Sequence, residues 1–383
     1  MKEVYLDYAA TTPLRKEVFE AMNPYFREIF ANPVSLHSFG QKALKAIDES
    51  RNKIKEILKA NELKEIIFTA SSTEANNLAI KGLIFYFYFL KGYKKIHVIS
   101  STIEHPSVLD TLADLEGLEI IETTYLKPEM NGLISLEKIK ESIKENTLLI
   151  TLHYINSELG NRQKIKEIGE FLEKFKRKIY FHIDAAQAGL TEDLNVNNLK
   201  CDLMTLSSHK IYGPKGIACL YVKANTPLMR LISGSGHEYD LRGGTEAVPL
   251  IVGFAKAMEL AFEEKEKNVN HLKAIRDYFI EKIKKNNLPI EINTNLEESS
   301  PKILNIYFPT KLAQDIFLYL DLNKIYISPG TACKSRSAEP SYMVKEIFND
   351  PERAKRSLRF SFGLETSKED IDYVIEMLKK FLI

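Results

Sequence analysis

The sequence predicts an α/β fold with a mainly parallel sheet, and three observations predict it. From about residue 60 to 225, short apolar runs alternate with helical patterns, the rhythm of a sheet covered by helices on both faces. Within that stretch Thr73, His105, Ser157, Asp184 and Lys210 each follow closely on an apolar run. Ligands of such sheets sit beyond the carboxyl ends of the strands, so all five are expected along one edge. Residues 203–216 condense the pattern. A strand-like run ends in Ser207, Ser208, His209 and Lys210, and a Gly213-Pro214 turn then leads into a second apolar run over 217–222.

Taken in order, the chain opens with an extended arm over 4–12 and a helix start led by Pro13. A polar loop from Asn32 to His37 precedes an amphipathic helix over about 41–59. The run 65–69 reads as a strand, and Ser71, Ser72 and Thr73 supply hydroxyl caps for the helix after it. Another strand ends before His105, with Pro106 suited to a first helical turn. A lone histidine there is more often structural than catalytic. Strand-like runs follow over 147–152 and 178–184, the latter ending in Asp184 and small residues that let a flat ligand approach. A long helical pattern runs from Glu246 to about Lys285. Beyond it come a strand over 301–308, a helix over 312–320, a short strand over 326–328, a flexible stretch over 329–340, a strand over 357–363 and a closing helix.

Composition sets outer bounds. A chain of 383 residues can hold two domains, and 44% hydrophobic with 27% charged residues is ordinary for a soluble globular protein. A net charge of +1 lends no support to direct nucleic-acid binding or to an anionic membrane patch. The amino terminus lacks the apolar core of a signal peptide. The most apolar segment, 83–90, is too short to span a bilayer and reads as the buried end of a helix. Cys201, Cys219 and Cys333 have no paired spacing, so neither a disulfide framework nor a metal site is expected, and a reducing cytoplasm fits.

The chemistry turns on Lys210. A lysine at a strand mouth among small polar residues can form a Schiff base if a carbonyl partner is held close. The plain alternative is a surface lysine beside a turn. Pyridoxal phosphate can supply the carbonyl. Its phosphate would meet the helix start at Ser72 and Thr73 together with Ser207 and His209. Its pyridine nitrogen would face Asp184, which keeps the ring protonated and electron-withdrawing. His105 would stack on the ring and move protons, and Gln187 would donate to the phenolic oxygen.

Seven stretches resemble the cysteine desulfurases of the NifS/IscS type, within the class V aminotransferase group. They are Tyr5-Leu6-Asp7-Tyr8-Ala9-Ala10-Thr11-Thr12-Pro13, Glu74-Ala75-Asn76-Asn77, Ile103-Glu104-His105-Pro106-Ser107-Val108, Asp184-Ala185-Ala186-Gln187, Ser208 through Gly216, Leu241-Arg242-Gly243-Gly244-Thr245-Glu246 and Arg359-Phe360-Ser361-Phe362-Gly363. The resemblance spans nearly the whole chain in order. It implies a fold-type I pyridoxal-phosphate transferase with a seven-stranded sheet. A large cofactor-binding domain is expected over 13–256, and a small α+β domain from 1–12 with 257–383.

The resemblance further implies conversion of L-cysteine to L-alanine, with Lys210, His105 and Cys333 as catalytic residues. Cys333 would attack the substrate sulfur from its Gly-Thr-Ala-Cys-Lys-Ser segment and carry it as a persulfide. Cys201 and Cys219 read as inert core residues. Arg359 would grip the substrate carboxylate as a bidentate partner, with Asn32 and Ser157 at the substrate. Thr245 would reach the cofactor phosphate of a partner subunit, which implies a homodimer. The sulfur acceptor would be an iron–sulfur scaffold or a tRNA-thiolation protein. The chain departs from the family at Ser157, where a second Asn is usual, at His237, where Gln is usual, and at Ser71, where Gly is usual. Ser157 keeps open an alternative, a related aminotransferase or selenocysteine lyase with altered substrate. The close of the chain at Phe381-Leu382-Ile383 leaves out an extension with which longer relatives dock a scaffold, so docking is expected to differ.

Overall fold

A computed structural model describes residues 2–330 and 340–383 of the chain. The chain opens with β1 (Val4–Tyr5). The strands β2 (Ile66–Thr69), β3 (Ile96–Ser101), β4 (Ile121–Leu126), β5 (Thr147–His153), β6 (Tyr180–Asp184), β7 (Leu203–Ser207) and β8 (Ala218–Val222) then form one seven-stranded sheet. Their spatial order is β2-β8-β7-β6-β5-β3-β4. Only β8 runs against the rest, because β2 and β7 both pair with it antiparallel while every other neighbouring pair is parallel. The expected mainly parallel seven-stranded α/β architecture is therefore present.

Why the strands take this form is plain from β2. Ile66 and Phe68 face one apolar core and Ile67 the other, so the strand is buried on both sides and reads as a continuous apolar run. The connections set the site. From β3 the chain moves outward to β4, then returns across β3 to β5 and on to β6 and β7. The order reverses between β3 and β5, the crevice where open α/β sheets take their ligands. His105 follows β3 and Ser157 follows β5.

The last third adds a smaller sheet. β9 (Glu291–Ile292), β10 (Ile303–Tyr307) and β12 (Ser357–Ser361) form an antiparallel sheet with β10 central, while β11 (Ile325–Tyr326) pairs parallel with β1. Single bridges join Asp7 to Ser361 and Ser328 to Arg359, so the amino-terminal arm is stitched to this sheet. The long helical pattern after Glu246 is two helices, Val248–Glu263 and Lys265–Lys285, broken at Glu264. The segment 83–90 differs from its sequence reading. Leu83 and Ile84 are buried, but the chain widens into a π-helical turn, Tyr86–Leu90, that leaves Phe89 58% and Leu90 64% exposed. No helix among the described residues is long and apolar enough to cross a membrane.

Candidate active site

The strand ends of the large sheet meet the amino-terminal arm and the small sheet at one cleft, lined in part by Ser72, His105, Ser157, Asp184, Gln187, Lys210 and Arg359. Seven residues singled out from the sequence are thus brought together. Each is held by local chemistry.

Lys210 follows β7 in a short helical turn, Ser208–Lys210. Its Nζ donates to the main-chain carbonyls of Ala9 at 2.6 Å and Ala10 at 2.7 Å. The turn beyond it is pinned at Tyr212, whose backbone sits in the left-handed region at φ 67°. The Tyr212 N–H donates to Thr12 Oγ1 at 2.7 Å, and its hydroxyl accepts from the Leu364 N–H at 2.6 Å. Lys210 is not a free surface lysine beside a turn.

Asp184 ends β6 and is buried. Its Oδ1 accepts the Ala186 N–H at 3.0 Å, and its Oδ2 accepts Asn76 Nδ2 at 2.8 Å. The same Asn76 nitrogen reaches Ser107 Oγ at 2.8 Å, and that hydroxyl lies 2.9 Å from His105 Nδ1. A relay of hydrogen bonds therefore runs from Asp184 to His105. His105 caps the helix Pro106–Gly117, its Nδ1 accepting the Ser107 N–H at 3.1 Å. With Nδ1 an acceptor, the neutral ring carries its proton on Nε2. Burial keeps the ring neutral by lowering its pKa, the Asp184 carboxylate opposing and the Lys210 charge reinforcing that shift. Asn76 and Ser107 were not singled out from the sequence as functional, although both lie inside the quoted motifs. Membership of those motifs was the signal that could have found them.

The helix Ser72–Phe85 begins beside the cleft. Ser71, which stands in place of the family's usual Gly, is its N-cap and accepts the Glu74 N–H at 3.1 Å. Its backbone is extended, so no glycine is required there. The first-turn N–H groups of Ser72 and Thr73 remain for an anion, since a helix leaves its opening donors unpaired. Thr73 itself is exposed and does not line the cleft. Ser207 is buried with its hydroxyl unpartnered among the described residues. His209 bonds Thr11 Oγ1 at 3.1 Å and is pushed down to about 4 by burial and by Lys210, Lys215 and Lys302, so it is a neutral hydrogen-bonding group.

Arg359, on β12, donates from Nη1 to the Ser157 carbonyl at 2.9 Å and from Nη2 to Asp7 Oδ1 at 2.7 Å, while its Nε has no partner among the described residues. The short side chain at 157 is not what holds this guanidinium. Gln187 donates to the Ala9 carbonyl at 2.8 Å, and its own carbonyl oxygen is likewise unpartnered. Asn32 and Thr245 are exposed and stand apart from this cleft. Cys201 and Cys219 are fully buried, and burial drives both thiols well above the usual range, so neither is a nucleophile. Cys333 lies outside the described residues.

These residues fit pyridoxal phosphate. An unpartnered Ser207 hydroxyl and a helix start suit a phosphate, a doubly hydrogen-bonded carboxylate suits a pyridine nitrogen, and Lys210 lines the same cleft as Ser72 and Asp184. The fold and site define a pyridoxal-phosphate enzyme. The chain belongs to the aminotransferase class-V family, whose pattern matches residues 4–374. It is 40% identical over 381 residues to the cysteine desulfurase IscS of Dictyoglomus turgidum, covering 100% of this chain and 95% of that one. Among solved structures, a NifS-like protein superposes with a TM-score of 0.92 at 29% identity, covering 100% of this chain and 99% of that one. SspA in complex with cysteine superposes with a TM-score of 0.83 at 38% identity, covering 94% of this chain and 99% of that one.

Proposed function

We propose that the chain is a cysteine desulfurase that converts L-cysteine to L-alanine and carries the sulfur as a persulfide on Cys333. The observation that carries this reading is the convergence of Lys210, Asp184, His105 and Arg359 on one cleft, in a chain 40% identical along its length to a cysteine desulfurase. A structural neighbour solved with cysteine supports the substrate.

When bound through Lys210, pyridoxal phosphate supplies an electron sink for bonds around the amino acid's α-carbon. Ser72, Thr73, Ser207 and His209 would hold the phosphate, and Asp184 would face the pyridine nitrogen. Arg359 receives the substrate carboxylate, with Ser157 beside it. The Lys210 amine and the Nε2 proton of His105 are proton carriers at the cleft. The Cys333 thiolate attacks the substrate sulfur. A sulfur–sulfur bond forms, the carbon–sulfur bond breaks with its electron pair passing to the carbon framework, and a proton completes alanine.

Exposed apolar residues along the amino-terminal segment, among them Phe19, Phe26, Phe30 and Leu36, are side chains that a second copy of the chain would cover, which supports a homodimer. Exposed Thr245 is then free to reach the partner's phosphate site, and Asn32 to approach its substrate. The sulfur goes to an iron–sulfur scaffold or a tRNA-thiolation protein in the cytoplasm. The division into a large domain over 13–256 and a small one from 1–12 with 257–383 is supported by the separation of the seven-stranded sheet from the three-stranded sheet and the β1–β11 pair.

The test gives L-cysteine to the purified yellow protein and measures alanine and reductant-released sulfide, with Cys333→Ala alongside. Equal amounts of both products, lost in the variant, are expected. Cofactor colour with neither product, or amino-group exchange that survives Cys333→Ala, would move the reading to an aminotransferase.

A further inference from the structure

Lys302 lies just before β10 with its side chain fully buried. Its Nζ donates to the main-chain carbonyl of Lys210 at 2.9 Å, across a separation of 92 residues. Its own backbone is fixed, the Lys302 carbonyl accepting the Phe362 N–H at 2.8 Å. The contrast with another buried cation is instructive. Arg51 is chelated by the Glu238 carboxylate at 2.8 and 2.9 Å, which compensates its charge. Among the described residues no carboxylate forms an ion pair with Lys302 or acts on its charge. The charged groups that act on it are Lys210, from the β7 turn, and Arg359, from β12, and both are positive. Burial, followed by those two charges, presses its amine down to about 7.

Stability does not account for such a residue. An uncompensated buried ammonium is costly, and an apolar side chain of the same length would fill the space without that cost. The placement makes sense through what it touches. We infer that Lys302 is the positioning and charge partner of Lys210, gripping its main chain by the carbonyl and setting a second amine against the one that carries the cofactor. A neighbouring cation disfavours protonation at Lys210, so its nitrogen stands ready to take a proton from the incoming substrate amine. The inference rests on the reading of Lys210 as the cofactor lysine.

The experiment is a pH titration of the visible absorbance of the cofactor-loaded wild type, Lys302→Met, Lys302→Gln and Lys302→Arg, with melting temperatures of the same samples. Lys302→Met and Lys302→Gln are expected to move the titration midpoint upward by about one pH unit or more, while Lys302→Arg stays near the wild type. Lys302→Met is expected to melt no lower than the wild type. A midpoint that stays put in the two neutral variants overturns the inference, as does a shift in Lys302→Arg as large as theirs, which would show a packing effect. If Lys302→Met does not fold, Lys302→Gln decides by the same midpoint. A wild type with no titrating band fails the Lys210 reading itself, an outcome distinct from an unmoved midpoint.

Discussion

The cleft has two walls of different character. One is the carboxyl edge of the seven-stranded sheet, carrying Ser72, His105, Asp184 and Lys210. Its side chains are fixed by caps and by the Asp184–Asn76–Ser107–His105 relay, all from neighbouring strand ends. The other wall comes from the amino-terminal arm and the small sheet, and it brings the Ala9 and Ala10 carbonyls, Arg359 and, behind them, Lys302. The first wall is organised for the ring and its protons. The second is cationic and suited to an amino acid's carboxylate. The difference teaches that chemistry and substrate grip are supplied by separate layers of the fold, and that Lys210, Gln187 and Arg359 tie the two together by hydrogen bonds across the cleft.

Variants can break this division. On the sheet wall, Asp184→Asn is expected to lower kcat about a thousandfold with little change in KM, measured by alanine production. Asn76→Ala is expected to lower kcat less, about tenfold, and to cost about 1–3 kcal/mol in stability by leaving Asp184 and Ser107 without their shared donor. Chemical denaturation checks the second part. On the arm wall, Arg359→Lys keeps the charge but loses the planar fork. It is expected to raise KM for L-cysteine about tenfold while kcat falls less. Equal loss of kcat in Arg359→Lys and Asp184→Asn would erase the division.

The smallest effect sharpens it through pH. The folded-state value of Lys302, about 7, lies below its ordinary 10.5, so the unfolded chain binds the extra proton across that interval. Wild-type stability therefore rises as pH climbs from about 7 toward 10.5. The advantage expected for Lys302→Met is full below about 7 and fades across the same window. Melting curves at pH 6.5 and 10 test this, and parallel curves at both would contradict it.

Much of the sheet wall was legible because each of its residues follows a strand in the chain, and a parallel sheet gathers such positions by topology alone. His105, Asp184 and Lys210 needed only that rule. The hydroxyl caps before the helix Ser72–Phe85 were also legible, since capping is local. The arm wall was not legible in this way. Nothing near Lys302 in sequence distinguishes it from any lysine before an apolar run, and its partner lies 92 residues away. Arg359 was reached only by resemblance. The segment 83–90 misled because apolarity reports burial on average, while Phe89 and Leu90 sit past the point where the helix widens and leaves the core.

The account's central claim is that Lys210, and no other amine at this cleft, carries the cofactor. Borohydride reduction of the loaded protein followed by peptide mass mapping tests it most directly, because the buried Lys302 amine, pressed down to about 7, is a second candidate for the same aldehyde. The account predicts the label on the peptide containing Lys210, with loss of labelling and of yellow colour in Lys210→Ala. Label on the Lys302 peptide in the wild type, or undiminished labelling in Lys210→Ala, would contradict it.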